Sequence, residues 1–184
     1  MLYHASQTPG IKIIKPHISN HKKPLVYFSV KRENTLVYLS NAVKRHCMET
    51  SFDYNGIFTK WASYGFNKDG ILVLDEYYPN ASRETYNGVS GYIYSAADEA
   101  GEPLGGIPFA FISHAPVKPE GCEFVPDAYA ALLQAAEQGK IIMNRYENNS
   151  PGKLEWIHKI VREEYADPGI TPEYKFFLKC KFGL

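Results

Sequence analysis

Three short stretches near the amino terminus carry side chains whose types and order suit ligand chemistry: His4-Ala5-Ser6, Tyr27-Phe28-Ser29 and Tyr38. A neutral imidazole both donates and accepts hydrogen bonds, and a phenol offers a flat apolar face with a polar tip. Tyr38 follows Tyr27 by eleven residues and falls in a stretch whose periodicity is helical. The commoner signatures are missing. There is no G-x-S-x-G, Walker loop, H-E-x-x-H or dinucleotide glycine fingerprint, so the common hydrolase, nucleotide triphosphatase, zinc protease and Rossmann readings lack their main support. His17-x-x-x-His21 has the separation of two ligands on one helix face. Pro16, Ser19-Asn20 and Pro24 oppose a helix there, and no carboxylate or cysteine lies near in sequence, so no metal is expected.

This ordered set resembles the ADP-ribosyltransferase family of the poly(ADP-ribose) polymerase type, in which an H-G-S strand precedes a G-x-Y-F-[AS] strand and a helix bearing a second tyrosine at the same offset. Small bacterial proteins similar to that group share the opening L-Y-H-[GA]-S. The resemblance covers residues 2–38. It implies an α+β fold, an ADP-ribosyltransferase-like split β-sheet with flanking helices, over residues 1–184 as one domain. It implies NAD as co-substrate, gripped by His4, Ala5 and Ser6, with Tyr27 and Tyr38 sandwiching the nicotinamide and Ser29 in the same strand motif. Ala5 stands where the family has glycine, which keeps the backbone donor and acceptor but adds a methyl group.

The implied activity releases nicotinamide from NAD and transfers ADP-ribose. Breaking the ribose C1–N bond develops positive charge on the sugar, which a nearby carboxylate stabilises. The family supplies that carboxylate late in the chain. No clear E-x-E occurs here, and Glu123, at the start of an apparent strand, is favoured over Glu120 and Glu147 because a strand holds a side chain more rigidly than a loop. Simpler roles stay open for each residue. Tyr27 and Tyr38 can pack as core aromatics, and His4 can satisfy a neighbouring backbone group. The alternative reading is a ligand- or protein-binding domain of the same fold without chemistry, whose contact surface is the aromatic-rich stretch 52–94.

The elements that position these residues follow from pattern. Leu2–Ser6 alternates and ends at Pro9-Gly10, and Leu25–Ser29 is β-branched and aromatic, so both read as strands. From Lys31 to Thr50 the apolar Leu36, Leu39, Val43 and Cys47 recur at helical spacing, predicting one helix. Strands are predicted at 71–74, 91–96, 108–113, around Glu123 and at Ile141, with 98–106 as an exposed connection. Asp127 and Gly139 bracket a helix over 128–138, and Ser150-Pro151 and Thr171-Pro172 each start another.

The chain has 184 residues, with 20 Lys+Arg balancing 20 Asp+Glu and 45% hydrophobic residues, which excludes a disordered chain. Its 3 cysteines are scattered, against a disulfide framework, and no stretch approaches the roughly 18 apolar residues of a membrane span, so a cytoplasmic protein is expected. The zero net charge divides unevenly: +7 over residues 1–46, −9 over 48–137 and +2 over 138–184. The basic part coincides with the motif residues. This favours a small phosphate-bearing ligand over a long polyanion, with any acceptor protein or nucleic acid left unspecified.

Overall fold

The computed structural model describes residues 1–18, 23–56 and 63–184. In chain order, β1 (Leu2–Ser6), β2 (His17–Ile18) and β3 (Pro24–Ser29) lead to a 3-10 helix, Arg32–Tyr38, and then to α1 (Ala42–Thr50), β4 (Ser63–Phe66), β5 (Leu72–Asp75) and α2 (Ala81–Tyr86). The order continues with β6 (Gly91–Ala96), β7 (Glu102–Pro103), β8 (Ala110–Ser113), β9 (Gly121–Val125), α3 (Ala128–Glu137), β10 (Ile141–Asn144), α4 (Pro151–Ala166) and α5 (Pro172–Phe182). The chain is therefore α+β. Among the described residues, no helix is long and apolar enough to cross a membrane.

The residues group into two compact units. One comprises 1–40, 65–73 and 86–142, the other 41–64, 74–85 and 143–184. The first is built on an antiparallel sheet of order β7-β8-β3-β1-β6-β9, with β2 pairing β3 beside it. On one side of this sheet Leu2, Val26, Phe28, Tyr94 and Ala96 form a core with Ile14 and Val117, whose main chains bridge each other. The 3-10 helix packs on β1, and α3 packs on the 3-10 helix. A separate three-stranded sheet has the order β10-β5-β4.

The second unit has its own core, in which Val43 and Cys47 of α1 meet Tyr78, Ala81, Ile157, Val161, Phe177 and Leu178. Helices α1, α4 and α5 each bury one apolar stripe there, as amphipathic helices must.

Two expectations need correction. The helix predicted over Lys31–Thr50 is two helices. Asn41 is extended, with φ −122°, and its side chain accepts a hydrogen bond from the Lys44 amide, so a capping residue starts α1 afresh. The apolar spacing persisted across the break because both pieces bury one side. The stretch read as an exposed connection, 98–106, contains β7, whose Glu102 and Pro103 pair with Ile112 and Phe111.

Among the described residues, the aromatic-rich stretch does not form an exposed surface. Phe58 and Trp61 lie outside the described residues, and the other nine aromatics between 52 and 94 are buried or half-buried. Tyr78, Tyr86 and Tyr94 are 6%, 5% and 1% exposed. A contact surface made of these side chains loses its motivation.

Candidate functional site

Strand register sorts the sequence-predicted residues onto two faces of the larger sheet. Successive side chains on a strand point to opposite faces, and directly opposed residues share one. His4 opposes Tyr94, Ser6 opposes Tyr92 and Leu2 opposes Ala96, so His4 and Ser6 belong to the face carrying the Leu2–Phe28–Tyr94 core. Tyr3 opposes Ser29, Ala5 opposes Ile93, and Ile93 opposes Glu123. Ala5, Tyr27, Ser29 and Glu123 therefore share the other face.

The 3-10 helix covers this second face. Gly91 opposes Val125 there, and a Cβ built on Gly91 would lie 2.6 Å from Leu39 Cδ2, so the glycine permits the helix end to sit directly on the strand. Tyr86 pins the same helix by donating its hydroxyl to the Val37 carbonyl at 3.1 Å.

His4 and Tyr27 meet across neighbouring strands. Among the described residues, β1 and β3 bridge at Tyr3 and Ser29, whereas β1 pairs with β6 along five residues. Beyond that bridge the imidazole takes over, with Nδ1 2.9 Å from the Tyr27 carbonyl oxygen. A carbonyl can only accept, so Nδ1 carries the proton and Nε2 is the ring's acceptor. Burial pushes the His4 pKa below its ordinary value, the Tyr27 carbonyl opposes that shift, and His17 adds to it. A neutral ring at pH 7 follows. Phe28 packs edge-on to it, with centroids 5.9 Å apart.

The remaining predicted residues have these settings. Ala5 is 8% exposed. Ser6 Oγ accepts from the Thr8 amide and Ser29 Oγ from the Lys31 amide, so both hydroxyls serve local turns. Tyr38 ends the 3-10 helix and is 45% exposed. Glu123 lies on β9, three strands from Tyr27, a separation of about 14 Å at the usual strand spacing.

Glu123 is held by Arg32. Arg32 Nε donates to Oε2 at 2.8 Å and Nη2 donates to Oε1, a bidentate fork. The guanidinium holds the Glu123 carboxyl below the usual carboxylate range, with burial and Glu33 opposing, and Glu123 in turn raises the Arg32 pKa. The structure thus brings His4 and Tyr27 together and sets Glu123 apart, on the opposite face from the imidazole.

Two residues escaped the reading of the sequence. Arg32, one of the positive charges of residues 1–46, is a carboxylate partner, and its neighbour Lys31 sits over the Phe109 ring at 3.7 Å. Lys12, Lys15 and Lys23 are exposed, and Lys22 lies outside the described residues. Glu102 is the second. Tyr27 opposes Ile112 and Ile112 opposes Glu102, so Glu102 shares the Tyr27 face two strands away, about 10 Å, with His114 Nε2 3.5 Å from its carboxylate. A two-residue strand leaves no periodic signal by which to find it. His17 lies in β2, in keeping with the expectation against a helix there, and His21 is outside the described residues.

No protein-family model, no curated protein and no solved structure matches this chain.

Proposed function

We propose that the unit built on the larger sheet is an ADP-ribosyltransferase-like domain that binds NAD where β1 and β3 part. The observation that supports this reading most is the His4–Tyr27 junction. Two motifs more than twenty residues apart lie on neighbouring strands and join through the imidazole, at the point where strand pairing gives way. A neutral His4 offers Nε2 as an acceptor for a ribose hydroxyl. Tyr38, exposed at the end of its helix, offers a ring for stacking on nicotinamide, and exposed Lys12, Lys15 and Lys23 supply positive charge for a diphosphate.

A second reading, NAD binding without transfer, is favoured by the Arg32–Glu123 fork. A carboxylate with both oxygens on a guanidinium is poorly placed to meet a developing oxocarbenium, and this one faces away from His4. The two readings separate in one experiment. Calorimetric titration with NAD, followed by an assay for free nicotinamide, is run on the wild type and on Glu123→Gln and Glu102→Gln. Heat without nicotinamide marks a binder. Nicotinamide release lost in one of the two variants names its carboxylate, and no heat at millimolar NAD overturns the cofactor assignment.

A further inference from the structure

The second unit contains a cleft of about 260 Å³ lined by Ala42, Arg45, His46, Glu49, Tyr78, Glu84, Thr85, Phe177 and Lys181. Ala42, Tyr78 and Phe177 are core residues and form its floor. The charged side chains stand in two ion pairs: Arg45 Nε to Glu49 at 2.9 Å along α1, and Lys181 Nζ to Glu84 at 2.6 Å between α5 and α2. The lining therefore carries two positive and two negative groups.

His46 is the side chain that points to a ligand. It is 9% exposed, its ring packs on Phe176 and Phe177 with centroids 5.4 and 5.5 Å away, and its Nε2 is fully buried without a hydrogen-bond partner. Buried side-chain nitrogens are nearly always paired, so an unpaired one calls for a partner. Burial and Lys181 push the His46 pKa down, with Glu49 and Glu84 opposing, so the ring adds no charge to the lining at pH 7.

We infer that this cleft binds a small zwitterion of the amino-acid class, with its carboxylate on Arg45 or Lys181, its ammonium on Glu49 or Glu84, and a hydrogen bond to His46 Nε2. Other ligand classes fit the lining less well. A phosphate would face two glutamates, a diamine would face two cations, and an apolar molecule would strip water from four charges without replacing it. A zwitterion exchanges each ion pair for an equivalent partner. The volume suits a ligand smaller than those held by ordinary cofactor pockets, which start near 300 Å³.

The test titrates the full chain with L-glutamine and L-phenylalanine, and in parallel with acetate, putrescine and inorganic phosphate. Thermal shift and amide chemical shifts are read together. The amino acids should raise Tm and move the amides of 42–49 and 177–181, while the three probes that carry charge of one sign only, at equal millimolar concentration, should do neither. His46→Phe keeps the ring stacking and removes Nε2, and Lys181→Gln removes one cation. Each should weaken amino-acid binding roughly tenfold, the scale of one charge-assisted or buried hydrogen bond. A phosphate or putrescine response equal to that of the amino acids overturns the proposal. So does unchanged affinity in His46→Phe, or the absence of amide shifts in the wild type, a readout that needs no variant to fold.

Discussion

The imidazole of His4 donates from Nδ1 to the main-chain oxygen of Tyr27 at 2.9 Å, although the side chains of the two residues leave the sheet on opposite faces. The ring replaces a ladder hydrogen bond where β1 and β3 are no longer paired. Removing it as His4→Ala leaves the Tyr27 carbonyl without this donor and opens a void beside Phe28. The expected loss is about 1–3 kcal/mol, read from urea denaturation. His4→Asn, whose amide also donates, should recover part of it. Equal stability of wild type and His4→Ala would show that the contact does not hold the strands.

Stability should also depend on pH through the histidines. Burial lowers the folded pKa of both His4 and His46 from 6.5. Between the folded and unfolded values the unfolded chain binds protons that the native chain refuses, so stability is full above about pH 6.5 and declines as pH falls below it. Glu33, Glu123 and Asp127, whose folded pKa values are also lowered, contribute with the same sign. Their stabilisation is present above their ordinary values of 4.5 and 3.8 and disappears at lower pH, a separate window. Thermal melts from pH 7.5 to 5 should therefore show falling Tm, and the slope should flatten in His4→Asn and in His46→Phe. An unchanged slope in both variants would remove the histidines as its source.

Glu76 is the most committed carboxylate of the second unit. It is 2% exposed, and Oε1 accepts from the Ser82 amide and Arg145 Nη1 at 3.1 Å while Oε2 accepts from the Tyr146 amide at 3.2 Å. Its main chain pairs with Asn144 and with the Asn149 side chain. Glu76→Ala takes the acceptor from the buried Ser82 amide, from the Tyr146 amide and from Arg145 Nη1, and Glu76→Gln turns an amide donor toward one of them. Both should cost about 3 kcal/mol in chemical denaturation, and a loss below about 1 kcal/mol in Glu76→Ala would mean that water takes over the bonds.

Local patterns carried much of this fold. Strand Gly91–Ala96 and the Asp127-capped helix coincide with their predicted positions because alternation, an Asx cap and an αL glycine act within a few residues. The Asn41 cap was equally local but lay inside a continuous apolar periodicity, which masked it. The faces of His4, Tyr27 and Glu123 were not legible, because they depend on register between strands whose paired residues lie as far apart in sequence as Leu2 and Ala96. The Arg32–Glu123 fork is of that kind, joining residues 91 apart in sequence that no local pattern links. Glu76 was overlooked because a charged residue after an apolar run reads as a strand exit, and its burial depends on donors from residues 82, 145 and 146.

The close approach at Gly91 yields a prediction about the helix that covers the Glu123 face. A Cβ at position 91 meets Leu39 Cδ2 at 2.6 Å and the Ser6 carbonyl at 3.2 Å. The first neighbour is the end of a side chain and can be trimmed, whereas the second is backbone and can shift only slightly. Gly91→Ala should cost about 1–3 kcal/mol through overpacking. Leu39 is fully buried, so Leu39→Val alone should also destabilise, by about 1 kcal/mol. Combined, the two changes should be less harmful than their sum, because the shorter side chain vacates the place that the new methyl takes. A double-mutant cycle by urea denaturation measures this. Strict additivity would mean that the strain falls on the Ser6 carbonyl and that Leu39 does not set the distance between helix and strand.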